Sequence, residues 1–120
     1  REVKYALAGQ PYPLLVRSGV LVEPDDLPES LPLGVNLPAS YSSGVFQLQA
    51  GDLVVLVSDG VVELLNEDDE PFAESFVECL QTNSSEDVLT ILNRIFQSID
   101  EFKGNSDQVD DLTVVMIRVY

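Results

Sequence analysis

The continuous apolar run Leu53–Val57 constrains the fold of this 120-residue chain more than any other stretch. It follows a turn over residues 50–52 and consists only of valine and leucine, so it predicts a short strand buried on both faces. Such a strand requires a packed core around it. With 45% hydrophobic residues, the chain can supply one.

Shorter β-prone runs surround this strand. Further strands are predicted over Val3–Leu7, Leu14–Val16, Val20–Val22, Val45–Leu48 and Val114–Val119. Ser18-Gly19 predicts a hairpin between the second and third of these runs. Residues 23–43 are predicted as a proline-containing loop whose leucines pack down onto the domain.

Two helices are predicted between the buried strand and the last one. Pro71 is expected at the first position of the first helix, which continues through Leu80. The second helix is expected to be capped by Ser84 or Ser85 and to end at residues 103–105. This element order predicts an α+β fold with antiparallel strands and with the helices on one face.

Composition excludes several functional classes. Six basic against 21 acidic residues give a formal net charge of −15, which disfavours binding to nucleic acid or anionic lipid. The sequence predicts neither a membrane span nor a signal peptide. The single cysteine, Cys79, is predicted to be a small buried side chain, and it fits a reducing, cytoplasmic compartment. Because there is no histidine, chemistry would depend on carboxylates, hydroxyls, amides or bound water.

Carboxylates lie at the ends of two predicted strands. Asp59 leaves the buried strand, and Asp110-Asp111 precede the last one. Antiparallel pairing would bring these residues to one sheet edge, where a divalent cation would relieve their repulsion. Mg²⁺ and Mn²⁺ prefer such oxygen ligands, and Gly60 would let the backbone bend behind Asp59. The alternative is an ordinary turn beside a solubilising strand start, because each feature is common alone.

Two other acidic stretches carry less chemistry. Residues 67–70 lack the alternating ligands and central glycine of a calcium loop, so a solvated loop is expected. Residues 107–111 are similar to the last acidic motif of haloacid-dehalogenase-type phosphatases. That family needs a nucleophilic aspartate at the position of Val57, which excludes it.

Four segments together resemble a known family. "YALAGQPYPLLV", "LPLGV", "LQAGDLVVLVSDGVVELLNEDDEPF" and "DDLTVVMIRV" occur in the order seen in the SpoIIE-like branch of the metal-dependent (PPM, protein phosphatase 2C-type) serine/threonine phosphatases. The resemblance covers nearly the whole chain. It implies an α+β fold, an antiparallel β-sandwich flanked by helices, with a two-metal site at the sheet edge.

The resemblance also implies roles for individual residues. Asp59 corresponds to the metal-binding aspartate of the Ser/Thr-Asp-Gly motif, and Asp110 to the first position of the closing Asp-Asp motif. Asp111 is the second choice for that ligand, and Gly60 supports the turn. Two Mg²⁺ or Mn²⁺ ions would activate water, with no further catalytic side chain.

The implied substrates are phosphoserine or phosphothreonine proteins, of the anti-anti-sigma type that acts in bacterial signalling. In this branch the phosphatase is often fused to a sensor or receiver domain, so such a domain is an expected partner.

Two departures from the family pattern matter. The upstream Gly-Asp motif, whose aspartate bridges both metals, is missing before Tyr5, so residues 1–120 are expected to be the C-terminal portion of one phosphatase domain. The isolated chain is therefore expected to be inactive. Gln10 stands where the family usually has histidine. These departures leave open an inactive phosphatase-like module that binds a regulatory partner. A third possibility is an acidic structural domain without a site.

Overall fold

The computed structural model describes residues 1–23, 31–35, 40–107 and 110–120. The elements run in the order β1 (Glu2–Ala6), β2 (Leu14–Arg17), β3 (Val20–Val22), β4 (Ser43–Gln47), β5 (Leu53–Val57), α1 (Asp59–Val62), α2 (Ala73–Asn83), α3 (Val88–Lys103) and β6 (Val114–Arg118). All six predicted strands are present, two with the predicted bounds and four with ends shifted by one or two residues.

The strands form two antiparallel sheets. A four-stranded sheet has the order β3-β2-β5-β6, and a two-stranded sheet pairs β1 with β4. The predicted β2–β3 hairpin is confirmed: Arg17 pairs with Val20, and both loop residues, Ser18 and Gly19, have positive φ angles of 50° and 79°. This is the geometry that matches the right-handed twist of paired strands.

The main core lies between the four-stranded sheet and the helices. One face of the sheet contributes Val16, Leu53 and Val55. The helices contribute fully buried aromatic and aliphatic side chains, which include Phe72, Phe76, Leu80, Ile91 and Ile95. The apolar stripes predicted from the sequence therefore face this core, as the helical spacing requires.

A second, smaller core joins the two sheets. Leu15, Val54 and Phe46 are its buried members, and Tyr5 stacks on Phe46 with ring centroids 5.2 Å apart. The arrangement is a helical layer, a four-stranded sheet and a two-stranded sheet in sequence. This confirms the α+β fold with a sheet-on-sheet sandwich and flanking helices.

A charged pair joins the end of β2 to the start of β5. Arg17 donates from Nε and Nη2 to the two carboxylate oxygens of Asp52, at 2.8 and 2.7 Å. Asp52 is buried and also accepts from the Gln49 backbone N–H at 2.8 Å. The hydrogen bond from Arg17 is the main cause that lowers the pKa of Asp52, while burial acts in the opposite direction.

Two local predictions are wrong. Pro71 does not begin α2, since it forms a β-bridge with Leu65 and the helix starts at Ala73. Neither Ser84 nor Ser85 caps α3, because the carboxylate of Asp87 accepts from the Thr90 backbone N–H at 3.1 Å. That bond satisfies one of the free N–H groups of the first turn.

The remaining differences are smaller. Residues 59–60 start the four-residue helix α1 rather than a simple turn. The β5 run is buried except for Leu56, which is 41% exposed. Cys79 is half-buried, and burial raises the pKa of its thiol. Much of the loop predicted over residues 23–43 lies outside the described residues. The prediction that its leucines pack down is wrong for the described ones, because Leu31 and Leu33 are 53% and 76% exposed. In the described part of the chain, no helix is long and apolar enough to cross a bilayer.

Candidate functional site

The end of β5 and the start of β6 lie side by side at one edge of the main sheet. The two strands are antiparallel, and their last registered pair at this edge is Val57 with Val114. The ladder continues one step further, because the Ser58 backbone N–H donates to the Thr113 carbonyl at 3.0 Å. Asp59 and the Asp110-Asp111 segment therefore follow at the same edge, as antiparallel pairing predicts.

The side chain of Ser58 adds a second link between the two segments. Its hydroxyl donates to the Asp111 carbonyl at 3.0 Å and accepts from the Thr113 backbone N–H at 3.0 Å. Sequence reasoning gave this half-buried serine no role. The available signal was a hydroxyl residue directly between a buried strand and the Asp-Gly pair.

Gly60 lies against the Asp110-Asp111 backbone. A Cβ at this buried position would be 2.5 Å from the Asp111 carbonyl oxygen and 3.2 Å from the Asp110 Cβ. Glycine is therefore required here for close approach of two backbones rather than for an unusual φ angle. The sequence predicted that Gly60 permits a backbone bend, whereas in the structure Gly60 permits the close approach of a second segment.

Asp59 is the first residue of α1 and is half-buried. It lines a cleft of about 290 Å³ together with Gln10, Tyr12 and Glu63. Gln10 is the residue that departs from the family pattern, and the cleft brings it to the same side of the fold as Asp59. The clustering of the residue 9–12 loop with the Asp-Gly turn was not predicted.

Asp110 is exposed and lines a neighbouring groove of about 410 Å³ with Gly60, Glu63 and Asp107. Its Oδ1 accepts from the Asp111 backbone N–H at 2.7 Å, which fixes the carboxylate relative to its own backbone. Glu63 borders both this groove and the Asp59 cleft. Sequence reasoning missed Glu63, although its spacing of four residues from Asp59 places both on one helical face.

The donor atoms suit a hard divalent cation, but they do not complete a site. Carboxylate oxygens are the ligands that Mg²⁺ and Mn²⁺ favour, and Mg²⁺ commonly uses only one or two protein carboxylates. Across residues 1–23, 31–35, 40–107 and 110–120, no three carboxylate or thiol side chains are grouped so that they could hold a metal ion. Asp59 and Asp110 supply oxygen atoms of the kind that such a cation prefers, but they line two separate pockets.

The acidic loop over residues 67–70 has a structural organisation of its own. The side-chain oxygen of Asn66 accepts from the backbone N–H groups of Asp68 and Glu70 at 3.0 and 2.9 Å. Glu67 accepts from the backbone and side chain of Asn105, and these bonds lower the pKa of Glu67. The loop is exposed, as expected, and the carboxylate of Glu67 links it to Asn105.

Comparison with known proteins identifies the relatives of this fold. The family model of Stage II sporulation protein E (SpoIIE) matches residues 1–120. The PP2C phosphatase domain of SpoIIE from Bacillus subtilis, solved with a fragment of its regulatory domain, is 21% identical with a TM-score of 0.75; the match covers 98% of this chain and 34% of that one. A Mn-presoaked form of the Bacillus subtilis phosphatase domain is 19% identical, with a TM-score of 0.72, and 98% and 50% are covered.

A further structure contains the RsbU and RsbW domains of Rv1364c from Mycobacterium tuberculosis. It is 24% identical, has a TM-score of 0.69, and the match covers 98% of this chain and 32% of that one. This chain therefore spans from about a third to half of the length of the solved chains described above. No curated protein matches the sequence significantly.

Proposed function

Because the chain belongs to the SpoIIE family of PP2C-type phosphatases, we propose that it forms part of a metal-dependent phosphoserine/phosphothreonine protein phosphatase. The observation that supports this most directly is the antiparallel pairing of β5 with β6, which brings Asp59 and the Asp110-Asp111 segment to one sheet edge. Two carboxylates at one edge of a strongly acidic chain favour a cation over an anionic ligand.

In this proposal Asp59 and Asp110 hold Mg²⁺ or Mn²⁺, and Asp111 is the second candidate for the latter position. A divalent cation there supplies Lewis-acid stabilisation of the phosphoryl oxygens and a lowered pKa of water. The chain's own residues orient the carboxylates, with Gly60 permitting the close approach and the Asp111 N–H holding Asp110 Oδ1. In this proposal the phosphorylated side chain of the substrate enters the cleft beside Asp59.

The proposed substrate is a phosphorylated regulatory protein of the anti-anti-sigma type, and a fused sensor or receiver domain is a proposed partner. Family membership and the resemblance of the motifs support this choice. A cytoplasmic location belongs to the same proposal and is supported by the single free cysteine, Cys79.

We also propose that residues 1–120 are the C-terminal portion of one phosphatase domain and are inactive when isolated. The main sheet supports this, because three apolar side chains on one of its faces remain exposed: Leu56, Val115 and Ile117, at 41%, 45% and 51%. Leu56 pairs with Val115 across β5 and β6. An apolar sheet face normally packs against another layer, and the two-stranded sheet covers only the part around Leu15 and Val54.

A second candidate function is a phosphatase-like module that binds a regulatory partner without hydrolysis. It is favoured by the lack of a three-carboxylate group among the residues that the structure describes. Gln10, in place of the family's usual histidine, points in the same direction.

The two candidates are separated by activity in the full-length protein. We expect Mn²⁺-dependent release of phosphate from a phosphoserine protein, and loss of at least 100-fold in Asp59→Asn and Asp110→Asn, since each removes a charged ligand. Asp100→Asn, exposed on α3, is the matched control and should keep full activity. Hydrolysis that is equal in all four proteins would refute the metal assignment, and binding of the phosphoprotein without turnover would favour the binding module.

A further inference from the structure

The hydroxyl of Ser58 occupies a special place at the proposed metal edge. Ser58 is the last residue before Asp59, and its Oγ donates to the Asp111 carbonyl while accepting from the Thr113 N–H. One side chain therefore connects the segment that carries Asp59 directly to the segment that carries Asp110-Asp111.

The backbone ladder alone does not reach the acidic pair. Regular pairing ends at Val57 with Val114, and one further backbone bond joins Ser58 to Thr113. Asp111 lies two residues before Thr113, in exposed and irregular backbone. The bond from Ser58 Oγ to the Asp111 carbonyl extends the connection to the acidic segment itself.

We propose that Ser58 is a positioning residue, whose hydroxyl sets the separation between the Asp59 and Asp110 carboxylates. This inference rests on the proposed function, because the separation matters only if both carboxylates hold the same metal site. Ser58 acts through the backbone of its neighbours and does not itself bind the ion. Residues that orient metal ligands in this way commonly change metal affinity by about 10–100-fold when they are replaced.

A pair of variants with nearly equal shape isolates the hydroxyl. Ser58→Thr keeps the donor and acceptor, whereas Ser58→Val replaces the hydroxyl by a methyl group. In the metal-stripped full-length protein, Ser58→Val is expected to raise the Kd for Mn²⁺ by about 10–100-fold in isothermal titration calorimetry. Ser58→Thr is expected to stay close to wild type. Ser58→Ala, the smaller change, should follow Ser58→Val if the hydroxyl is responsible.

Two controls separate positioning from a general structural effect. The Tm of each variant is measured in EDTA, because a merely structural serine would lower Tm without raising the Kd for Mn²⁺, and that result would overturn the proposal. Ser85→Ala is the matched serine control, as Ser85 is exposed in the groove near Arg118 at the opposite end of the sheet. It should leave the Kd unchanged.

Asp59→Asn distinguishes failure of this inference from failure of the proposed function. If Asp59→Asn loses Mn²⁺ binding while Ser58→Val and Ser58→Ala keep wild-type affinity, the positioning role is refuted and the metal site stands. If wild type and Asp59→Asn bind Mn²⁺ equally, the proposed function fails and the inference falls with it. A Kd raised in Ser58→Val and restored in Ser58→Thr supports the proposal.

Discussion

Replacing Gly60 by alanine tests the close approach of the two acidic segments. The added Cβ would lie 2.5 Å from the Asp111 carbonyl oxygen, whereas ordinary contacts begin at 3.4 Å. The Asp110-Asp111 backbone must therefore move about 0.9 Å away from residue 60. A displacement of about 1 Å in a catalytic arrangement can cost about 100-fold in activity.

The cost in folding stability should be smaller than the cost in activity. Asp110 and Asp111 are exposed, so the segment can move without breaking the core. Overpacking costs about 1–3 kcal/mol in a rigid interior, and alanine recovers up to about 1 kcal/mol over glycine in helix α1. We expect Gly60→Ala to lower the free energy of unfolding by at most about 2 kcal/mol, as measured by urea denaturation at pH 7.

Gly51→Ala is the matched control for this substitution. Gly51 has a φ angle of 95° and open space around its Cβ position, so alanine there is strained but meets no neighbour. It should cost about 1–2 kcal/mol of stability and leave the Kd for Mn²⁺ unchanged. Wild-type Mn²⁺ affinity and activity in Gly60→Ala would refute the argument that this approach shapes the site.

Further predictions concern stability and association. Asp52→Asn should cost about 3 kcal/mol in urea unfolding at pH 7, because it removes the charge that Arg17 pairs with in a buried position. The pKa of Asp52 is lower in the folded state than in the unfolded state, so the ion pair stabilises the fold above the unfolded pKa of about 4 and this stabilisation is lost as the pH falls further. The stability difference between wild type and Asp52→Asn should therefore shrink at pH 3, and a constant difference would contradict the ion-pair explanation. Asp87→Ala should cost about 1 kcal/mol through loss of the α3 N-cap, and an unchanged urea midpoint would contradict that assignment. The exposed sheet face is expected to make the 120-residue chain self-associate in size-exclusion chromatography. Leu56→Ser with Ile117→Ser should reduce this association, and an unchanged elution volume would argue against an uncovered sheet face.

Periodicity predicted the strands and the main helices because burial depends on which side chains face the core. Val20–Val22 and Leu53–Val57 match β3 and β5 residue for residue. The β5–β6 pairing did not follow from the sequence pattern. It was an assumption, and the structure shows that the two strands are antiparallel neighbours.

Caps and turns were less predictable because several residues can satisfy the same helix terminus. Ser84, Ser85 and Asp87 all stand before α3, and only the structure decides that Asp87 bonds to the Thr90 N–H. Pro71 suits a first helical turn but pairs with Leu65 in a bridge instead. Local preference alone cannot rank such options, because tertiary contacts decide among them.

The candidate site was only partly accessible from sequence for a similar reason. Asp59 and Asp110 stood out by their charge, whereas Ser58 acts through a long-range bond to Asp111 that no local pattern encodes. The cleft that joins Gln10 to Asp59 depends on how the residue 9–12 loop packs against α1. Such contacts between distant segments require the three-dimensional fold.

The position of a bound cation tests the proposed metal site most directly. Crystals of the full-length protein soaked in Mn²⁺ would show manganese by its anomalous scattering. A manganese peak is expected within about 2–2.6 Å of carboxylate oxygens from both Asp59 and Asp110. Manganese that binds elsewhere, or that contacts neither of these carboxylates, would contradict the proposed metal site.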